Sequence, residues 1–185
     1  FNHGGMSFHG GLVGALLAGI AAAKMTGIPY LTLADLGCVA APIGLFFGRL
    51  ANFVNGELWG GPTDLPWGVV FGGAAGTMPR HPSQLYEALL EGVLIFAVLF
   101  MLSRRLPPRP RGTFLGVFLI MYGCCRFAIE FVRQPDVQLG YLWGGWLTMG
   151  QLLSVPLVLV GIGVLVYALR MKKPQQGLPE LPQGE

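Results

Sequence analysis

The run MGQLLSVPLVLVGIGVLVYAL, Met149 to Leu169, carries no charged side chain over twenty-one positions. At 1.5 Å of rise per residue, a helix of that length crosses a hydrocarbon core about 30 Å thick. Four other stretches extend the pattern. SQLYEALLEGVLIFAVLFML, Ser83 to Leu102, is nearly as apolar and holds both its glutamates in its first half. TFLGVFLIMYGCCRFAIEFV, Thr113 to Val132, has Arg126 and Glu130 inside it. LTLADLGCVAAPIGLFFGRLANFV, Leu31 to Val54, contains a span broken or kinked near Pro42. LVGALLAGIAAAKM, Leu12 to Met25, needs Phe8 to Gly11 or a tilt to cross, and a re-entrant segment is the alternative. The expectation is five spans, at 9–25, 33–54, 83–102, 113–132 and 149–169.

Composition agrees with a lipid solvent. The 185 residues are 53% hydrophobic and 11% charged, against about 25% charged in a soluble domain. The 29 glycines suit helices that approach closely on small residues. The predicted fold class is all-α, a polytopic transmembrane helical bundle with a small extracytoplasmic cap. Residues 1–170 form the membrane domain, with the cap at 55–82 and a disordered tail at 171–185. The opening at Phe1, FNHGGMSFHGG, resembles no signal peptide. It reads as if membrane segments upstream were missing.

Lysine and arginine in short connections set the orientation. SRRLPPRPRG, Ser103 to Gly112, packs four arginines between two spans, and RMKK follows the last span at Arg170. Two crossings separate these regions, so both lie on one side, the cytoplasmic one. Lys24 falls on that side by the same count. The outer side then receives the start of the chain, 55–82 and 133–147. GELWGGPTDLPWGVVFGGAAGTMPRHP, Gly56 to Pro82, is too rich in Gly and Pro for another span, and a short strand is predicted at Trp67–Phe71. Trp59, Trp67, Trp143 and Trp146 suit an interfacial belt there.

Cys38, Cys124 and Cys125 lie in apolar segments and read as small core residues. No HxxxH or CxxC spacing occurs, so a structural metal site is not expected. A nucleic-acid partner is not expected either.

The polar residues of the outer level carry the functional signal. Arg49, Asn52, Asn55 and Glu57 cluster within nine residues of GRLANFVNGELWG. An arginine snorkelling to the interface explains Arg49 alone. It leaves two asparagines and a glutamate, which point to a polar cavity or an anionic ligand. If the helix continues, Arg49, Asn52 and Gly56 share a face. Arg126, Glu130 and Arg133 follow at i, i+4, i+7. An internal ion pair fixing the bundle is one reading. The other is a spare guanidinium left for a phosphate, which arginine meets bidentately.

His9, between glycine pairs, stands where an imidazole can exchange a proton, or is a helix-terminal histidine bonded to a carbonyl. His3 is a weaker candidate. His81 in RHPSQLYE reads as structural or substrate-positioning, with Ser83 as N-cap and Arg80 steering an anion. Glu87 and Glu91 stand at i, i+4, where either can answer an arginine across the bundle. A channel would repeat one residue type around a ring, and a transporter would show inverted repeats. Neither appears. The residues therefore point to a membrane enzyme acting on an anionic phospholipid at the outer face.

GGMSFHGGLVG, GRLANFVNGELWG, RHPSQLYEALLEG and YGCCRFAIEFVRQPD, in this order and spacing, closely resemble prolipoprotein diacylglyceryl transferases. The resemblance runs from about residue 3 to residue 170. It implies transfer of the diacylglyceryl group of phosphatidylglycerol to the lipobox cysteine thiol of a prolipoprotein signal peptide. A thioether forms and glycerol phosphate leaves, without metal or cofactor, in the bacterial inner membrane. By position, His9 is similar to the family's proposed base, and Arg49, Asn52, Glu57 and Gly60 to its signature residues. Arg126 and Glu130 match the later essential pair, with Arg133 continuing that block. Catalytic candidates are thus His9, Arg49, Asn52, Arg126 and Glu130. Substrate-binding candidates are Arg49, Asn52, Glu57, Gly60, His81, Arg126 and Arg133. The family's seven-helix plan implies that the amino-terminal spans, with a tyrosine-bearing segment, are partners of this portion. The alternative is a phospholipid-binding or transporting membrane protein without transferase chemistry.

Overall fold

Gly27 and Pro29 separate the first two helices. Gly27 has φ +72°, a left-handed conformation open to glycine, and Pro29 stands at the N-cap of the next helix. The computed structural model describes residues 8–104, 109–134, 142 and 147–176. These fold as α1 (Phe8–Thr26), α2 (Tyr30–Val54), α3 (Ser83–Ser103), α4 (Thr113–Ile129) and α5 (Met149–Met171). The protein is an all-helical membrane bundle. α2, α3 and α5 are long and apolar enough to cross a bilayer, whereas the apolar stretches Val13–Thr26 and Thr113–Ile129 are shorter. α4 stops before the expected end of its span because Phe131 and Val132 turn back onto the carbonyls of Ala128 and Ile129.

Of the break or kink expected near Pro42, a break is absent. The helix runs through the buried Pro42 from Tyr30 to Val54. The irregularity lies in α3, where Ala88–Leu94 forms a π-helical turn. Single π-turns inside α-helices widen the helix and often occur at functional sites. Here the widened turn contains Glu91 and begins just after Glu87. Gly92 lets it lie on α2, since a Cβ there would stand 2.7 Å from the Phe46 Cβ.

Small residues also let α4 and α5 meet closely. A Cβ on Gly123 would come within 2.6 Å of Val158, and one on Gly116 within 2.8 Å of Leu165. Van der Waals packing on small residues holds helices together where lipid provides no hydrophobic drive between them. Ile95, Leu99 and Phe114 form the fully enclosed core between α3 and α4. Cys38 of α2 is buried as expected, but Cys125 is half-buried and Cys124 exposed.

A buried carboxylate fixes the other end of α4. Asp35 of α2 accepts from the amides of Gly112 (2.7 Å) and Leu115 (2.8 Å). It thereby satisfies two of the donors that a helix N-terminus leaves open. Gln175, within the segment expected to be disordered, donates to the same carboxylate at 2.7 Å. The amide of Arg111 donates to the Lys173 carbonyl. Residues 177–185 of that tail lie outside the described residues. Asparagine at position 35 would present an NH₂ to donors where the carboxylate accepts three bonds. Asp35→Asn is expected to cost about 1–3 kcal/mol, read as a lower melting temperature in detergent. Gln175→Ala should shift it less.

The cap is irregular. Among the described residues the predicted strand at Trp67–Phe71 reduces to a single bridge, Val69 with Arg80. Pro66, Gly68, Gly72 and Gly73 leave no continuous run able to hold a ladder. A 3₁₀ turn, Gly73–Ala75, completes the segment. Trp143 and Trp146 lie outside the described residues. Trp59 is half-buried against Phe71, and Trp67 is exposed.

Candidate functional site

α2, α3 and the end of α4 converge on one carboxylate. Glu87 has no exposed side-chain surface. Its Oε2 pairs with Arg49 Nε at 2.8 Å. Its Oε1 accepts from Arg126 Nη1 at 3.3 Å and from Arg133 Nη1 at 2.9 Å. Glu91, one π-turn further, accepts from Nε and Nη2 of Arg49 at 3.3 and 3.2 Å. Arg126 Nη2 pairs with Glu130. Among the described residues three guanidiniums and three carboxylates therefore balance, and the spare arginine expected from the Arg126–Glu130–Arg133 spacing is answered by Glu87. The side chains of Arg49, Arg126 and Arg133 stay 16, 19 and 10% exposed, while those of Glu87 and Glu91 are at 0%. The carboxylates are enclosed, and the arginine side chains stay partly exposed.

α5 grips the cluster from its first turn. The second Glu130 oxygen accepts from the Thr148 hydroxyl at 2.5 Å. Thr148 and Gln151 form a reciprocal capping box at the start of that helix. Gly150 leaves room for the carboxylate, because a Cβ there would fall 2.5 Å from it. Nothing in the spacing of Thr148, Gly150 and Gln151 marked them as neighbours of Glu130.

The loop after α2 closes over this level. Helix α2 ends at Val54, and Gly56 takes φ +66°. The helical face expected to join Arg49, Asn52 and Gly56 therefore stops at Asn52. Gly60 donates to the His81 carbonyl, Gly61 donates to the Val132 carbonyl, and the His81 amide returns to Gly61. A Cβ on Gly60 would lie 2.6 Å from both His81 Cβ and the Val132 oxygen. Gly60 thus lets the loop, the start of α3 and the end of α4 meet, which brings Arg133 to Glu87.

The remaining candidates divide. Asn52 is half-buried one turn beyond Arg49, and its amide makes no hydrogen bond among the described residues. Glu57 is exposed and accepts from Asn55 at 3.3 Å. Among the described residues it pairs with none of the guanidiniums, which Glu87, Glu91 and Glu130 hold instead. Its carbonyl is held by Gln84 at 2.6 Å. Ser83 does not cap α3, since Pro82 holds that position and the serine hydroxyl donates to the Leu58 carbonyl.

Arg80 is spent inside the cap on the Ala75 and Gly60 carbonyls and on Gln134, over the Trp59 ring. His81 lies beside Tyr86, whose hydroxyl accepts from the Trp67 indole at 2.7 Å. The same hydroxyl lies 3.4 Å from His81 Nδ1. His9 is the second residue of α1, but its side chain, like all of His3, lies outside the described residues.

A family model described as prolipoprotein diacylglyceryl transferase matches residues 1–167. The chain belongs to the prolipoprotein diacylglyceryl transferase family. A phosphatidylglycerol–prolipoprotein diacylglyceryl transferase of Methylococcus capsulatus is 56% identical over 165 residues, covering 89% of this chain and 62% of that protein. Its counterpart in Bradyrhizobium diazoefficiens is 52% identical over 174 residues, 93% of this chain and 61% of that protein. The one in Azotobacter vinelandii is 53% identical over 167 residues, 90% and 62%. The chain therefore spans about three fifths of the length of these relatives. Membership in this transferase family lends no support to the reading as a lipid carrier without transferase chemistry.

Proposed function

We propose that this chain forms part of an enzyme that moves the diacylglyceryl group of phosphatidylglycerol onto the lipobox cysteine of a prolipoprotein. In this reaction the cysteine sulfur attacks the diacylglyceryl carbon that bears the phosphate ester. A carbon–sulfur bond forms, the carbon–oxygen bond breaks, and glycerol phosphate leaves with the electron pair. The thiol proton passes to a base, the role we give His9. The developing phosphate charge falls on Arg126 and Arg49, while Asn52 donates to a lipid oxygen. Such preorganised donors act strongly in a site that excludes water.

The observation that carries the reading is the ion-pair cluster itself. Three guanidiniums from α2, α4 and the turn after α4 are fixed by enclosed carboxylates at one level of an apolar bundle, and their side chains stay partly exposed. A phospholipid presents an anion above apolar tails, which fits that level. The reading places the enzyme in the bacterial inner membrane, with the site toward the outer face and the C-terminus in the cytoplasm. The basic connection after α3 and the basic end of α5 support this orientation.

The test gives the intact membrane protein phosphatidylglycerol vesicles and a lipobox peptide. Thioether product and glycerol phosphate should appear together, and a peptide with serine for cysteine should yield neither. Lipid binding without glycerol phosphate release would sink the proposal. His9→Gln should slow transfer by about 10²-fold or more. Near-normal turnover of that variant would remove the base role.

A further inference from the structure

Glu87 is more than a counter-ion to one arginine. It is the only carboxylate among the described residues that pairs with Arg49, Arg126 and Arg133 together, and it does so with both oxygens. Those arginines come from α2, from α4 and from the turn after α4, so no local geometry sets their spacing. Glu91 reaches only Arg49 and Glu130 only Arg126. The contacts to Glu87 and its neighbours use Nε and Nη2 of Arg49, both Nη atoms of Arg126, and Nη1 of Arg133. Among the described residues the other N–H groups of the three guanidiniums make no ion pair, and the arginine side chains stay partly exposed. Glu87 thus gathers the three cations on one enclosed carboxylate and leaves part of their donors uncommitted among the described residues.

We propose that Glu87 is the positioning residue that sets the arc of the three guanidiniums for a phosphate ester in transfer. The inference rests on the transferase reading. Glu87 touches neither the phosphate nor the attacking sulfur. Its effect is on where the positive charges stand when negative charge develops. Neutralising it leaves the cluster with a net positive charge, so an anionic lipid should bind at least as well as before. The arginines would repel one another and lose their spacing, so chemistry should slow. A purely electrostatic brake would act the other way, with removal of the carboxylate speeding transfer.

The test compares wild type, Glu87→Gln and Glu87→Asp in the intact membrane protein, with phosphatidylglycerol in mixed micelles and a lipobox peptide. Glu87→Gln should lower kcat at least tenfold without raising the KM for phosphatidylglycerol. Glu87→Asp, which keeps the charge and shortens the reach, should recover part of that loss. Glu91→Gln, which frees only Arg49, should cost less than Glu87→Gln. Unchanged or faster turnover in Glu87→Gln overturns the proposal, as does a raised KM, which marks Glu87 as a determinant of lipid binding. If Glu87→Gln does not fold, Glu87→Asp decides by the same split, with kcat expected to fall and KM to hold. If neither folds, Glu87 is a stability residue and the proposal fails. A wild type that transfers nothing removes the transferase reading instead.

Discussion

Gly60→Ala is expected to abolish transfer, with a loss of at least about 10²-fold, while the helices still form. The added Cβ would stand 2.6 Å from His81 Cβ and from the Val132 carbonyl oxygen, and 2.8 Å from the His81 oxygen. Two of these atoms are backbone, so no rotamer change relieves the contact. Relief requires the loop to part from the start of α3 or from the turn after α4. The second movement draws Arg133 away from Glu87, whose contact is 2.9 Å. A shift of about 1 Å at a positioned group is enough to cost about 10²-fold in rate. Transfer by the intact protein, measured beside its melting temperature, checks this. A variant that keeps near-normal activity would show that the closure of Gly60 on His81 and Val132 is dispensable.

Arg126→Lys carries the second large effect. Arg126 reaches Glu87 through one Nη and Glu130 through the other. A planar fork can bridge two carboxylates in this way, and an ammonium on a flexible stem cannot hold the same geometry. The variant keeps the charge, so phosphatidylglycerol binding should persist. Loss of one preorganised donor to a developing oxyanion costs about 10²–10³ in kcat, and a fall of that size is expected here. Arg133→Lys provides the contrast, because among the described residues Arg133 makes one ion-pair contact, through Nη1 to Glu87. It should lose less. Equal activity of Arg126→Lys and wild type would mean that charge alone matters at this position.

Both effects trace to contacts between segments far apart in the chain, and this is where the sequence stops being informative. The Arg126–Glu130 pair was legible because i, i+4 on a helix is a local distance. Arg133 was legible as part of the site but not for the right reason. Its helix ends at Ile129, and the turn and the Gly60 bridge bring it to Glu87 rather than a helical face. Glu87 and Glu91 were visible as two glutamates in an apolar run, with nothing to say which arginines they meet. Glu57 was legible as a member of the polar cluster with Arg49, with nothing local to say that the two do not meet. The left-handed turn at Gly56 sends it outward instead.

The sequence by itself determined the solvent, the helical class, the family and the short list of charged residues. Those depend on composition, on 1.5 Å of helical rise and on local spacing, none of which needs a partner element. It also marked Gly60 without a reason. Only the tertiary structure decided that the cluster is charge-balanced, that Glu87 lies at its centre and that the α5 N-terminus encloses Glu130. It also placed Asp35 on the opposite end of α4 from Arg126, holding that helix at its start. Such pairings are set by how helices lie on one another, and small residues such as Gly92, Gly116 and Gly123 control that approach. A charged group inside an apolar bundle must be answered, but the chain does not say by which residue until it is packed.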